Sequence, residues 1–454
     1  MLKIKNVDMI HGNLVRSIVQ YTIPIILIGL VQSLFNAVDI MVLGTMADTN
    51  AVASVGATTS IIHLLINTFF GISAGAKVVL ARLLGKGEEE RIHRTVSTSM
   101  LAALVIGFVA GILGFFLSPF FLNVTLCPQE CYNDALIYMC LYLISAPVIM
   151  IYNFGSAVLS VSGDSQRPLY YMLLSGGMNV VLNFVLCLVM KEKVAAVAIA
   201  TAVSQLLGAV LVVVRLVKMS GVCRLDLKKL TWDNSAFGKI MANGVPIGLS
   251  TALYPIANLQ IQAAVNSFGP SVMAGNSAIS SIEGIVSTIA NSAWGTSAGV
   301  FVGQNLGAQN KKRVKGSILW CLLMASSIGM LLGGLGTIFS RPLLMLYVSD
   351  EAAIVAGQTR MMYTLLPHAI AAITGVLSNT IQAFGYSIIC TINSIVSVLL
   401  FRIFWMNVIY PINPTFDMLC RCYLVSWMLV LVVNIIFTLY LYNAKLKKGT
   451  IKEI

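Results

Sequence analysis

Charge is what this chain of 454 residues has least of: only 10% of its positions are Asp, Glu, Lys or Arg, where a soluble domain carries about a quarter. That scarcity excludes an ordinary soluble fold. With 58% hydrophobic residues and a mean hydropathy of +0.88, the chain reads as an integral membrane protein. Histidine is scarce too, four in all with no metal-binding pair, and the nine cysteines are scattered without metal spacing or a pairing pattern. Only Cys127 and Cys131 stand where a disulfide is conceivable, and the plainer reading is two free thiols four apart at a helix start. There is no Walker sequence and no Gly-rich turn after a strand, and nothing supplies a catalytic triad. An enzyme is therefore not expected, nor any cofactor, and work must be driven by an ion gradient or by the substrate's own gradient. The first apolar run is too long for a cleavable signal and contains an acid, so it is expected to stay in the mature protein.

What is present is apolar sequence in long runs. Runs of about 20 residues or more fall near 17–44, 51–80, 95–122, 133–160, 168–190, 194–217, 238–267, 273–305, 315–340, 356–384, 388–412 and 418–442. Shifted by 222 residues the chain lies on itself without a gap: Pro24 falls on Pro246, Asn36 on Asn258, Gly85 on Gly307, Arg91 on Arg313, Gly163 on Gly385 and Ser165 on Ser387. A constant offset describes two copies of one folding unit. Six spans per copy return the chain to its starting side, so the copies are parallel repeats, with a binding space expected between them. The expected fold is all-α and membrane-integral, with twelve transmembrane helices in two pseudo-twofold-related lobes. The lobes are 1–217 and 238–454, joined by a polar, amphipathic linker at 218–237.

Basic residues give the orientation. Even-numbered connections and both tails hold Arg82, Lys86, Arg91, Arg94, Arg167, Arg215, Lys218, Lys228, Lys229, Lys311, Lys312, Arg313, Lys445 and Lys447 among others. The odd-numbered connections offer Lys191, Lys193, Arg341, Arg360 and Arg421, of which Arg360 starts the tenth span. Both termini are expected on the cytoplasmic side of the inner (cytoplasmic) membrane. This distribution accounts for the net charge of +12, and no nucleic-acid partner is expected.

Of seventeen acids, fifteen sit in connections, tails or helix ends, leaving Asp39 in the first span and Glu283 in the eighth. A carboxylate at bilayer depth costs about 2.5–3.5 kcal/mol on insertion scales, so each needs a reason. For Asp39 that reason is an ion or proton site, or else a buried ion pair or cap. Asn36 and Asp39 share one helix face, as do Asn179 and Asn183 in the fifth span, with Asn153 on the fourth and Thr201 on the sixth. One carboxylate, several amide oxygens and a hydroxyl form a hard-oxygen set suited to Na+ or to a proton, the Na+ ligands being Asp39, Asn179, Asn183 and Thr201. Glu283, His368 and Arg402 fall at similar depths in the second copy, and a buried salt bridge or a substrate contact is expected among them. His63 reads as a bonded core histidine and Lys77 as a snorkelling lysine.

Motifs recur in order along the chain: Tyr21-Thr22-Ile23-Pro24; Gln32 to Asp39 and Gly44; Gly71 to Gly75; Leu84-Gly85-Lys86-Gly87, answered by Gly303-Gln304-Asn305-Leu306-Gly307-Ala308; and Gly163-Asp164-Ser165-Gln166-Arg167-Pro168. Together they resemble the multidrug and toxic compound extrusion (MATE) family over nearly the whole chain, most closely its DinF-like prokaryotic branch. The resemblance implies a cation-coupled antiporter, driven by H+ or Na+, that exports cationic or amphiphilic compounds by rocking two six-helix lobes. It implies that the acid of the first span works with polar residues of the fourth to sixth, here Asp39, Asn153, Asn179, Asn183 and Thr201. The family often has Asp where this chain has Asn183, and one carboxylate fewer weakens the case for sodium. Acids that other branches carry in the seventh and tenth spans are replaced by Asn258, Gln260, Thr374 and Gln382.

Met, Phe and Tyr, at 21, 19 and 15 residues, suit an adaptable lining for small organic substrates. Pro24 breaks the backbone ladder about four turns before Asp39 and is the expected hinge. A monomer surrounded by membrane lipid is expected. The rival reading is a flippase or exporter of a lipid-linked or glycan substrate, whose cleft requires strong positive charge. The copies diverge where chemistry is expected: Asp39 maps onto Ile261 and Asn179 onto Phe401, so the ion site belongs to the first copy.

Overall fold

The computed structural model describes residues 6–46, 49–125 and 127–447, without the side chains at 36, 37, 39, 40, 43, 44, 49–53, 57, 59, 60, 63 and 445–447. Helices account for nearly all of it, and no strand occurs among the described residues. In order they are α1 Leu14–Met46, α2 Thr49–Lys86, α3 Glu89–Val124, α4 Gln129–Ile144, α5 Ala146–Val161, α6 Gln166–Val189, α7 Lys193–Lys218, α8 Asn234–Ser267 and α9 Pro270–Ser287. There follow α10 Ala293–Gly307, α11 Lys311–Ile338, α12 Ser340–Met345, α13 Glu351–Thr364, α14 His368–Ala383, α15 Ser387–Ser394, α16 Phe401–Phe404 and α17 Phe416–Leu441. Among the described residues nine helices are long and apolar enough to cross a membrane, and two bent pairs raise the number to eleven. The remaining expected span, near 273–305, is helical throughout as α9, a π-turn at Thr288–Ser292 and α10. Its many Ser, Thr, Gly and Asn positions lower its hydropathy.

The repeat is visible contact by contact. The bend of 46° between α4 and α5, beside Pro147, has its counterpart 222 residues on in the 44° bend between α13 and α14, at Pro367; proline removes a backbone donor at each break. Helix α3 packs on α5 as α11 packs on α14, and α4 on α7 as α13 on α17. At Gly111 an added Cβ would stand 2.8 Å from the Leu143 carbonyl oxygen, and at Gly333 it would stand 2.2 Å from that of Leu365. Those are one contact made twice, and it admits only glycine. Left-handed backbone repeats likewise, at Gly163 (φ 89°) and Gly385 (φ 77°), and at Gly87 (φ 71°) and Gln309 (φ 55°).

The chain forms two compact units, and they depart from a linear division at 217 and 238. Unit 1 comprises Met1–Val7 with Leu27–Gly248; unit 2 comprises Asp8–Ile26 with Leu249–Ile454. Helices α1 and α8 each contribute to both units, and the two changeover points are again 222 residues apart, two residues after Pro24 and Pro246. Packing explains the assignment. In unit 1 the start of α8 lies backbone to backbone on α2, where a Cβ at Gly75 would meet Gly244 N at 2.5 Å. In unit 2 the matching positions at the start of α1 and in α10 are Thr22 and Ser297, whose hydroxyls hydrogen-bond at 2.7 Å, with Tyr21 edge-on to Phe301. Hydrophobic periodicity shows which face of a helix is apolar but not which bundle receives it.

The linker is made of turns, with Leu225 N donating to Leu216 O at 2.9 Å, and α8 starts at Asn234, four residues before the expected span, capped by the Asp233 carboxylate. All nine cysteines, Cys127 and Cys131 included, are free thiols.

Candidate functional site

Unit 1 places three of the expected residues together. On α6, Asn179 and Asn183 lie one turn apart and are 6% and 0% exposed. Buried amides must be satisfied or they cost about 1–3 kcal/mol each, and these two are wired in series. Asn183 Nδ2 donates to Asn179 Oδ1 at 3.3 Å, Asn179 Nδ2 donates to Thr201 Oγ1 on α7 at 3.3 Å, and Thr201 Oγ1 donates to Val197 O at 3.0 Å. Asn153 does not join this chain through the bond its amide makes, which is to Ile149 O on its own helix at 3.0 Å. Asn36 and Asp39 lie on α1, but their side chains, like that of His63, lie outside the described residues. Helix α1 nonetheless reaches α6 at a described point: the Phe35 ring fills the notch at Gly176, where a Cβ would stand 1.8 Å from Cε2.

Unit 2 corrects the expected partners of Glu283. The acid pairs with Arg360, at 2.9 Å from Oε2 to Nη2, rather than with His368 or Arg402. Arg360 Nη1 also donates to Asn276 Oδ1 at 2.5 Å, to Asn276 O at 3.1 Å and to Ser280 Oγ at 2.8 Å. Asn276, Ser280 and Glu283 form one stripe along α9, and that polar stripe was the sequence signal for a cationic partner on another helix. In the sequence Arg360 lies near the start of an apolar run and has the look of a helix-end residue; it sits within α13, 6% exposed. Arg402 is 2% exposed and has no carboxylate within 4 Å among the described residues. It donates to Asn258 Oδ1 and to Ser426 Oγ at 3.1 and 3.3 Å. Both guanidiniums rest on one ring, Tyr423, at 5.2 and 4.8 Å from its centroid. His368 is 1% exposed, takes Thr364 O at 3.4 Å through Nδ1, and stands edge-on to Trp427, with Nε2 unpartnered.

Two further polar features have structural work. Asp164, fully buried, is bonded by Arg167 and lies 3.9 Å from Arg215 Nε, anchoring the turn whose Gly163 carbonyl accepts Val7 N at 2.9 Å. Lys77 lies over the Phe70 ring, 5.6 Å from its centroid. An apolar cavity of about 500 Å³ lies among Val396, Leu400, Phe401, Phe404, Leu429 and Val432. Its exposed aliphatic lining suits an acyl chain.

Comparison with known proteins agrees with the duplicated helical fold. The MatE family profile matches residues 24–185 and 246–406, one stretch per copy. The chain is 25% identical over 415 residues to the probable multidrug resistance protein YpnP of Bacillus subtilis, covering 91% of each. It is 26% identical over 351 residues to the FAD transporter of Shewanella oneidensis, covering 72% of this chain and 75% of that one. Among solved structures it superposes on a MOP superfamily transporter from Pyrococcus furiosus with a TM-score of 0.89 at 19% identity, over 98% of this chain and 99% of that one. MATE structures in bent and straight conformations match with TM-scores of 0.88 and 0.85 over 99% and 98% of this chain, and 100% and 99% of theirs, at 19% and 20% identity. The duplicated helical fold, the motifs and the profile that matches both copies lead to one conclusion: the chain belongs to the MatE family of multidrug and toxic compound extrusion transporters.

Proposed function

We propose that this chain is a cation-coupled antiporter that exports amphiphilic organic compounds by alternating access, with Asp39 as the coupling carboxylate. The observation that carries this reading is the buried Asn183–Asn179–Thr201 chain in unit 1, taken with its counterpart in unit 2. Shifted by 222, the positions of Asp39, Asn179, Asn183 and Thr201 become Ile261, Phe401, Trp405 and Tyr423, and those four share one hydrophobic cluster. A duplicated fold brings equivalent positions together, which supports reading Asp39 as a neighbour of the asparagines. Apolar packing fills the place in one unit, and polar groups fill it in the other.

A lone carboxylate among neutral donors and acceptors pays a desolvation cost that protonation or Na+ removes. Occupancy then changes which hydrogen bonds α1 prefers. Pro24, where α1 passes from one unit to the other, lets that preference become a bend. A structure in a bent and one in a straight conformation are both known for a MATE protein. With no second acid in the set, a proton is the simpler coupling ion; the Na+ reading uses Asp39, Asn179, Asn183 and Thr201 as ligands. We place the protein as a monomer in the cytoplasmic membrane with both termini inside. Relatives bear names for multidrug resistance and for FAD transport, so membership leaves the charge of the exported compound open. Reconstituted vesicles loaded with an amphiphilic dye test the reading: efflux accelerated by an inward pH gradient supports it with H+, and by an inward Na+ gradient with Na+. Efflux indifferent to both gradients refutes it.

A further inference from the structure

The cluster in unit 2 has a charge imbalance that the coupling scheme leaves unused. Among the described residues this cluster holds two guanidiniums, Arg360 and Arg402, and one carboxylate, Glu283, which pairs with Arg360. Arginine stays protonated in proteins, and a buried charge without a counter-ion is costly. Arg360 has its acid; Arg402 has only two neutral oxygens, Asn258 Oδ1 and Ser426 Oγ, and the Tyr423 face. Beside them His368 Nε2 and Arg360 Nε are buried and unpartnered. The site therefore holds one positive charge in excess and has donors to spare.

The backbone at this place is also unusual. Arg402 stands on four α-helical residues between two π-turns, Ile395–Leu400 and Trp405–Ile409. The equivalent helix of unit 1, α6, runs unbroken from Gln166 to Val189. Such π-turns cluster at functional sites, and here they flank Arg402, a buried guanidinium with no acid partner among the described residues. The register makes a contrast: Asn258 is the counterpart of Asn36 and Tyr423 that of Thr201. The region of Asn36 and Thr201 in the first copy thus corresponds to one that holds a guanidinium without an acid partner in the second.

We propose that Arg402, supported by Tyr423 and Arg360, is an anion-accepting site for a carboxylate or phosphate group carried by the exported compound. This rests on the export reading above and amends the expectation of purely cationic substrates: the preferred compound is zwitterionic or acidic. A planar oxyanion matches the guanidinium fork with two parallel hydrogen bonds; Glu283 on Arg360, joined by one bond from Nη2 to Oε2, shows that a carboxylate is accommodated in this cluster. Glu283 keeps the second guanidinium from competing for the ligand, so one anionic group suffices.

The test uses the full chain in proteoliposomes and two probes, norfloxacin, which bears a carboxylate, and its methyl ester, which does not. Wild-type protein should export the acid roughly tenfold faster than the ester at equal low concentration. Arg402→Gln should erase that preference by slowing the acid to about the rate of the ester, and a melting temperature in detergent close to that of wild type shows that the variant folds. Arg402→Lys, which keeps the charge and loses the fork, should fall between. Equal export of acid and ester by wild-type protein overturns the proposal, and so does a uniform loss of both in Arg402→Gln, which indicates a structural role. Stimulation by inorganic phosphate without any preference for the acid overturns it as well, assigning the site to a free anion. Failure to export either probe would instead refute the export reading.

Discussion

At the scale of single residues, the polar groups of this protein divide by whether their hydrogen bonds close locally. Both terminal nitrogens of Arg360 are engaged: four bonds hold it, one of them the ion pair with Glu283. Removing one partner of a buried pair leaves the other uncompensated, so Glu283→Gln should cost about 3–5 kcal/mol, and Glu283→Gln with Arg360→Met should recover most of it. Thermal unfolding of the three variants in detergent checks this, and a silent single variant would show that the pair is solvated. The asparagine chain of unit 1 is relayed instead, each member serving the next. Truncating its middle, Asn179→Ala, removes the acceptor of Asn183 Nδ2 and the donor to Thr201 Oγ1 at once and should lower the melting temperature more than Asn153→Ala, whose amide donates within its own helix. Outside the spans, burial pushes the Cys223 thiol up to about 12. The thiolate is the reactive form, so between pH 7 and pH 10 the folded protein should resist iodoacetamide at Cys223. Mass spectrometry should find that site alkylated only after denaturation.

At the scale of elements, breaks in helices mark where each half does something its copy does not, or where both must bend. The paired bends at Pro147 and Pro367 are shared and belong to the scaffold. Pro24 lies two residues before α1 changes unit. Proline inside a helix costs about 3 kcal/mol relative to alanine, so Pro24→Ala should stabilise a straight α1, raising thermal stability while slowing efflux several-fold at unchanged dye affinity. Parallel binding and transport assays separate the two effects, and an unchanged transport rate would remove Pro24 from the mechanism. Much at this scale was legible beforehand: eleven of twelve spans meet length and hydropathy criteria, since apolar runs of that length have few other uses. The passage of α1 and α8 between units was not legible, because it depends on small residues such as Gly75 and Gly244 meeting across helices far apart in sequence. The Glu283–Arg360 pair was hidden for the same reason: its members are 77 residues apart, and depth along a span does not select among cations on neighbouring helices.

At the scale of the whole molecule, one duplication accounts for both the scaffold and the asymmetry of its chemistry. Contacts that hold each bundle together survive in both copies to the residue, as Gly111 with Leu143 and Gly333 with Leu365. Positions facing the polar interior have diverged. Unit 1 keeps an acid position, two buried amides and a hydroxyl; unit 2 has filled those places with Ile261, Phe401, Trp405 and Tyr423 and has set guanidiniums beside them. The proposals of coupling by the first unit and substrate discrimination by the second both rest on that division. Its central element is Asp39, and the most direct measurement is dye efflux from proteoliposomes under imposed pH and Na+ gradients, comparing wild type with Asp39→Asn. The wild-type rate should rise with one of the gradients, while Asp39→Asn should bind the dye and export it at a rate independent of either. Full gradient-driven efflux by Asp39→Asn would contradict the account.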